Sequence, residues 1–405
     1  MIHSCMNIER FSMIAWTTYI QMIGFGFLCI FAFFSDVSLS MANFGIDAAF
    51  IISLIILVMQ RQRINQLKLP FLLSSIYIIV LIVSAIHAID PQLSLQPIWR
   101  STYYMWAPFF VAWQIVDTEK KGRLLVLLLM LSAASSGIYT IWQSGQGVYR
   151  AVGFIDMLET ATHTAQLSLV LLVFVVHEYR SGRSLSTGQA VVSMALFLIL
   201  FISMLATNNR QTWLAYSGTF LFFLIICKTS WKKMISAVVA IMLIVAAVTT
   251  IIPAAGWRMR MLLDIHDRSA NERLLMWSEA GQRFLDRPIL GIGPGNTAVF
   301  QTYESAQPGK RYTHPHSTLF QLLSETGILG FLCYYLLYGY IFVSLYKVFT
   351  STHDPWILSA MLIIVVTQLC GLTENYLFGV VSARQVEWFF LGMAWRQKNR
   401  NSQLS

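Results

Sequence analysis

Two histidines flank a proline in the stretch THPHSTLFQLLSETGILG, and a mostly apolar run follows them. A neutral imidazole can take a proton from a hydroxyl near pH 7, so His314 and His316 are candidates for general-base work. Pro315 restricts His314 to extended backbone and suits His316 to be an early residue of the next helix. His316 is therefore the residue expected to be held by packed structure, and His314 the one left on a loop.

Four arginines could meet an anion. Arg210 lies in LATNNRQTWLAY, where one apolar segment ends and another begins with almost no loop between them. A guanidinium fixed there suits a phosphate group, which its planar fork can bind through two oxygens. Arg273 falls in the first turn of an expected helix, where the helix dipole disfavours a cation, so its place calls for an anionic partner. Arg150 in GVYRAVGF and Arg287 in DRPILG are further candidates.

Other chemistries lack their residues. No carboxylates pair at glycosidase spacing, and there is no G-x-S-x-G elbow. No Asp-rich or His/Cys cluster offers itself to a metal, so no metal ligand and no cofactor are expected. The turn GIGPGN lacks the Lys-Ser/Thr pair of a phosphate-binding loop, although its backbone amides could face an anion. Cys5, Cys29, Cys227, Cys333 and Cys370 form no close pair and read as small apolar residues.

The elements that must position these residues are membrane helices. The 405 residues are 56% hydrophobic and only 12% charged, with a mean hydropathy of +0.62. Uncharged runs such as IAWTTYIQMIGFGFLCIFAFF are long enough to cross a hydrocarbon core of roughly 30 Å. The fold class expected is an all-α polytopic membrane protein with about 12 spans, centred near residues 22, 51, 78, 106, 133, 170, 197, 219, 242, 337, 366 and 387. The first of these is expected to remain uncleaved, being too long for a signal peptide. The net charge of +9 is scattered through short loops, which speaks for membrane topology and against nucleic acid as a partner.

Basic connectors such as RQRINQLK, DTEKKGR, EYRSGR and KTSWKK alternate with non-basic ones. The positive-inside rule then places both termini in the cytoplasm and the one long connector in the periplasm. Residues 1–253 hold spans one to nine, 254–315 form that long periplasmic loop, and 316–405 hold the last three spans and a tail. Within the loop, SANE reads as a capping box with Ser269 as N-cap and Glu272 reaching back. The following ERLLMWSEAGQRFL carries Leu274, Met276, Trp277, Ala280, Phe284 and Leu285 at helical spacing, fit to lie on a membrane surface or against the bundle.

Three motifs together resemble the O-antigen ligase family of the bacterial polysaccharide ligase/polymerase superfamily. HSTLFQLLSETGILG fits that family's His-Ser/Asn, nine residues, Gly-x-x-Gly pattern through His316, Ser317, Gly327 and Gly330. RQTWL fits its Arg-x-x-x-Leu through Arg210 and Leu214. ERLLMW followed by DRPILGIGPGN looks like the arginine-bearing helix and glycine-rich turn of its large loop.

The resemblance implies a membrane-embedded glycosyltransferase of GT-C type, working without a metal at the periplasmic face of the bacterial inner membrane. Its donor would be an undecaprenyl-diphosphate-linked glycan, and its acceptor a sugar hydroxyl of lipid A–core. His316 would be the base, while Arg210 and Arg273 would neutralise the diphosphate. Arg287, Arg150 and His314 are further substrate-contact candidates. A polysaccharide polymerase or a protein O-oligosaccharyltransferase of the same superfamily is the nearest alternative. A transporter is the alternative of another class; it would place its polar residues and broken helices at mid-membrane.

Overall fold

The structure, a computed structural model, describes residues 2–59, 66–251, 256, 268–300, 313–377 and 379–404, without the side chains of 2–15, 268–270, 300 and 402–404. Thirteen α-helices and no strand occur among the described residues: α1 (Ile2–Phe34), α2 (Leu39–Met59), α3 (Lys68–Ile86), α4 (Leu95–Ile115), α5 (Glu119–Gly145), α6 (Met157–Arg180), α7 (Thr187–Ala206), α8 (Arg210–Ile226), α9 (Trp231–Ile251), α10 (Arg268–Asp286), α11 (Thr318–Thr352), α12 (Pro355–Gly371) and α13 (Ser382–Leu404). A chain this apolar must satisfy its backbone groups within each segment, and helices do so. Short polar caps start them. The side chains of Thr118, Asp156, Ser186, Asn209, Ser317 and Asp354 each accept a backbone N–H at a helix N-terminus.

Each expected span centre falls inside a helix. Eight described helices are long and apolar enough to cross a membrane: α2, α3, α5, α6, α7, α9, α11 and the Trp16–Phe34 part of α1. The helices α8 and α12 have 17 residues each, and α4 carries Arg100 and an internal Pro108. The described residues thus form an all-helical, multi-pass arrangement.

Side-chain contacts gather alternate connectors at one end of the bundle. Ser382 Oγ, at the start of α13, donates to Ser35 O just after α1. Asn208 Nδ2, between α7 and α8, donates to Tyr149 O between α5 and α6. Ile89 N, after α3, donates to Ile292 O at 3.2 Å. The opposite end holds residues of the basic connectors, among them Arg180 on Cys227 O at 2.7 Å and Arg396 on Trp113 O at 2.6 Å.

The GIGPGN turn is locked into this first end. Glu325 of α11, fully buried, accepts the N–H of Gly295 at 2.8 Å and of Thr297 at 3.3 Å. The amides expected to face an anion instead donate to the protein's own Glu325 carboxyl group. Asn296 then bonds Asp90 O and Ser94 Oγ, which ties the turn to the α3–α4 connector.

Gly327 serves this same docking, whereas Gly330 packs against the Thr326 side chain of its own helix. Gly327 sits at φ 62°, ψ −168°, inside α11, in a region open essentially to glycine alone. The break lets Ile328 N donate to Pro288 O at 2.8 Å and Leu329 N to Ile289 O at 3.3 Å. A Cβ on Gly327 would meet Ile289 O at 2.3 Å, and backbone cannot yield as a side chain can. Gly327→Ala is therefore expected to cost at least about 2 kcal/mol, read as a lower thermal midpoint in detergent. Gly339→Ala, on the same helix with nothing within 4 Å, is the control and should be neutral or mildly stabilising. Equal midpoints for the two variants would show that the break bears no strain.

Candidate active site

Ser317, not His316, begins α11. Its hydroxyl accepts Phe320 N at 3.4 Å and the helix runs from Thr318. The expected helical place for His316 is thus corrected: it stands one residue outside the cap, at φ 47°. That left-handed conformation is uncommon for any residue with a Cβ. What holds His316 is a side chain from elsewhere. Its Nδ1 lies 2.7 Å from Glu374 Oε1, in the connector between α12 and α13.

Glu374 is itself tightly placed. Its backbone carbonyl accepts Thr318 N at 3.1 Å and Thr318 Oγ1 at 3.2 Å. Two residues on, the Tyr376 hydroxyl pairs with Thr162 Oγ1 of α6 at 2.6 Å. The connector's far end is pinned by Glu159 of α6, only 2% exposed, which accepts Val381, Ser382 and Ala383 N–H at 2.6, 3.0 and 2.8 Å. A carboxylate on three amides at the start of α13 is a strong anchor. The loop that presents Glu374 is therefore fastened at both ends.

The remaining oxygen of Glu374 extends the chain. Gln211 Nε2 donates to Glu374 Oε2 at 3.0 Å, and Gln211 Oε1 accepts Arg273 Nη2 at 3.1 Å. One continuous path of hydrogen bonds thus runs from His316 through Glu374 and Gln211 to Arg273. Arg210 is the residue before Gln211, half-buried at the first position of α8. Burial alone would raise the Glu374 carboxyl. The His316 hydrogen bond and charge, with the Gln211 amide and Asn375 N–H, outweigh that and hold it down to about 2.

His314 is close to the site rather than hanging free. Its ring centroid lies 4.2 Å from that of His316, and its Nδ1 is 3.3 Å from His316 N. Burial, then the charge of His316, lowers its imidazole to about 4, so it is neutral at ordinary pH. His314, His316 and Glu374 each offer a ligand atom, and all three atoms lie within 4.8 Å of one another. The expectation of no metal-ligating cluster is corrected to that extent. Folding assembles such a set from two residues of one loop and one of another.

The loop helix α10 braces the histidine segment. Trp277 Nε1 donates to Pro315 O at 3.0 Å, and its ring stacks on Phe320 at 5.3 Å. Met276 and Ala280 are buried, while Leu274 and Leu285 face outward. Asp286 ends the helix as Pro288 demands. At its start the described helix already includes Arg268, ahead of the expected cap Ser269, whose side chain lies outside the described residues. Of the rest of the expected loop, residues 254–255, 257–267 and 301–312 also lie outside them.

The weaker candidates stand apart. Arg287 is exposed and donates to His87 O at 3.2 Å. It lies fourteen positions beyond Arg273, roughly 20 Å along α10. Arg150 is exposed next to Tyr149, whose carbonyl is bonded to the Arg210 turn, so it sits at the rim of the same end. Gln211, Glu374 and Glu159 join the site only through the fold. Gln211, adjoining a candidate arginine at a helix start, was the one with a local signal.

The comparisons bear on the stretch just described. The family model described as O-antigen ligase matches residues 194–335. That span holds Arg210, Gln211, Arg273, His314 and His316, and stops before Glu374. A protein of Rickettsia prowazekii (strain Madrid E), named as a polysaccharide ligase, is 23% identical over 69% of this chain and 68% of its own length. Through residues 194–335, which carry the histidine and both principal arginines, the chain is related to the O-antigen ligase family.

Proposed function

We propose that the protein is an O-antigen ligase-type glycosyltransferase. It moves a glycan from undecaprenyl diphosphate to a sugar hydroxyl of lipid A–core, at the periplasmic face of the inner membrane. The observation that carries this reading is the hydrogen-bonded path from His316 to Arg273. It joins a base to a phosphate-binding cation at the end of a membrane bundle, where a lipid-borne diphosphate would lie.

Glu374 accepts the Nδ1 proton of His316, which leaves the Nε2 lone pair for the acceptor. The acceptor hydroxyl loses its proton to Nε2 as its oxygen attacks the anomeric carbon. The bond from that carbon to the diphosphate oxygen breaks, and the diphosphate leaves with the electron pair. Single displacement inverts the carbon. Arg273 and Arg210 stabilise the charge gathering on the leaving group, and Glu374 stabilises the imidazolium. The energy resides in the diphosphate linkage, so no nucleotide is needed.

A carrier is less favoured by where the buried ionisable groups lie. Asp36 follows α1, Glu159 and His163 stand within the first two turns of α6, and Arg384 begins α13. These lie toward the end that holds His316, and Glu387, bonded to Tyr338 of α11, stands deeper in α13. The one described break in a long helix, at Gly327, is filled by the protein's own residues 288–293. Polymerase and protein-glycosylating activities share the donor chemistry and differ in acceptor.

The test is incubation of purified protein with a lipid-diphosphate glycan and lipid A–core, free of metal and nucleotide. Appearance of the conjugate is expected, and its absence where repeat units or a protein acceptor are glycosylated would overturn the acceptor assignment. Transfer is also expected to survive EDTA. Loss restored by magnesium or manganese would overturn the role given to the arginines.

A further inference from the structure

We infer that His314, His316 and Glu374 form a reversible site for a zinc-class divalent cation, and that occupation of this site switches transfer off. The metal site stands on geometry alone; its inhibitory effect rests on the base role proposed for His316.

Three ligand atoms within 4.8 Å of one another span little more than a coordination sphere. Zinc binds imidazole nitrogen and carboxylate oxygen at about 2.0–2.2 Å, which sets neighbouring ligands roughly 3.3 Å apart. The His316 Nδ1 to Glu374 Oε1 distance of 2.7 Å must open slightly, and the widest pair must close. Rotation of the half-buried His314 ring serves for the second. Pro315 aids this by placing both rings on one side of the loop, with centroids 4.2 Å apart. Trp277 on Pro315 O and the double fastening of the Glu374 loop keep the donors from drifting apart.

The donor set selects the class of ion. Two imidazoles and one carboxylate suit zinc, cobalt, nickel or copper, whereas magnesium and calcium favour oxygen ligands alone. The His316 and Glu374 side chains are 23% and 12% exposed, so an ion can enter from water. Three protein ligands leave a coordination position open to water, which favours exchange over permanent structural binding.

The consequence follows from lone pairs. A His316 nitrogen shared with a cation cannot accept the acceptor's proton, and Glu374 bound to the cation no longer orients the ring. Gln211 and Arg273 are not among the ligand groups, so donor binding is expected to persist in the blocked enzyme.

The experiment uses the full-length protein in detergent, stripped of metal, with zinc and cobalt chlorides as probes. Calorimetric titration is expected to show one zinc site per chain, and cobalt to give the visible absorption of a low-symmetry nitrogen–oxygen site. His314→Ala and Glu374→Gln should each weaken binding at least about tenfold, since loss of even a supporting group costs that much. His87→Ala, an exposed histidine at the same end, should leave binding unchanged. Each variant's transfer rate is referred to its own metal-free rate. Wild-type transfer should fall along the binding curve and return with EDTA, while His314→Ala should need at least about tenfold more zinc. Absence of saturable binding, or binding indifferent to His314→Ala, overturns the site. Zinc that binds there and raises the rate overturns the inhibitory role. The binding arm needs no turnover, so an active His316→Ala enzyme would refute the base reading and leave the metal site standing.

Discussion

His316→Ala is expected to lower transfer by about a hundred to ten-thousand-fold in purified protein, the usual loss when a general base is removed. Donor binding should persist, because the arginines belong to other elements. The backbone at this position separates chemistry from folding. His316 holds φ 47°, a conformation that costs an L-residue roughly 1–2 kcal/mol and glycine almost nothing. His316→Gly should therefore be as inactive as His316→Ala yet more stable, by about 1 kcal/mol in thermal unfolding. Glu374→Gln keeps an acceptor for the imidazole N–H but loses the charge that steadies the imidazolium, so a smaller loss is expected. His314→Ala, whose ring lies beside the base and makes no hydrogen bond to a carboxylate among the described residues, should lose least. Rates must be compared in purified protein at matched amounts, since a tenfold loss can be invisible in cells. A His316→Ala enzyme retaining more than about a tenth of its rate would refute the assignment. If His314→Ala were the inactive variant, the base would be the other histidine.

Half of this site was legible in the sequence, and the division has a physical cause. His316, Arg210 and Arg273 stand out because charged or titratable residues are costly beside apolar spans, so their presence there needs a reason. The helix pattern was legible for the same cause: the period and length of apolar runs are local properties. Glu374 carries no local signal of a role, because its partner lies 58 residues away. Gln211 is an ordinary amide until folding puts Glu374 and Arg273 on its two ends. Glu159 anchors residues more than two hundred positions later. The glycine turn illustrates a half-right reading. Its amides do meet an acidic group, but it is Glu325, 30 residues on, that occupies them. The start of α11 was readable and misread: Ser317 has the side chain an N-cap needs, which pushes His316 out of the helix and into its left-handed conformation.

Arg273→Ala and Arg210→Ala are each expected to lower transfer by about a hundred to a thousand-fold, the cost of removing one preorganised donor from developing charge. Lysine at either position should recover only part of that, because an ammonium keeps the charge but cannot grip two phosphate oxygens in one plane. Arg273 also makes a sharper test possible. Its Nη2 rests on Gln211 Oε1 at 3.1 Å, and the same amide donates to Glu374 at 3.0 Å. Gln211 touches neither the attacking hydroxyl nor the leaving group in this reading, so it is a positioning residue for both ends of the path. Gln211→Ala should cost less than Arg273→Ala, and it should act mainly on the rate of the bound complex. Once Arg273 is gone, Gln211 has lost half of what it positions. The double variant should therefore be less impaired than the two single losses multiplied together, by a coupling of about 1 kcal/mol, or roughly fivefold. Donor binding and turnover at wild-type level in both arginine variants would reduce them to interface anchors. Strict multiplication of the Gln211 and Arg273 losses would mean that the hydrogen-bonded path carries no coupling, and that the base and the phosphate-binding cation work independently.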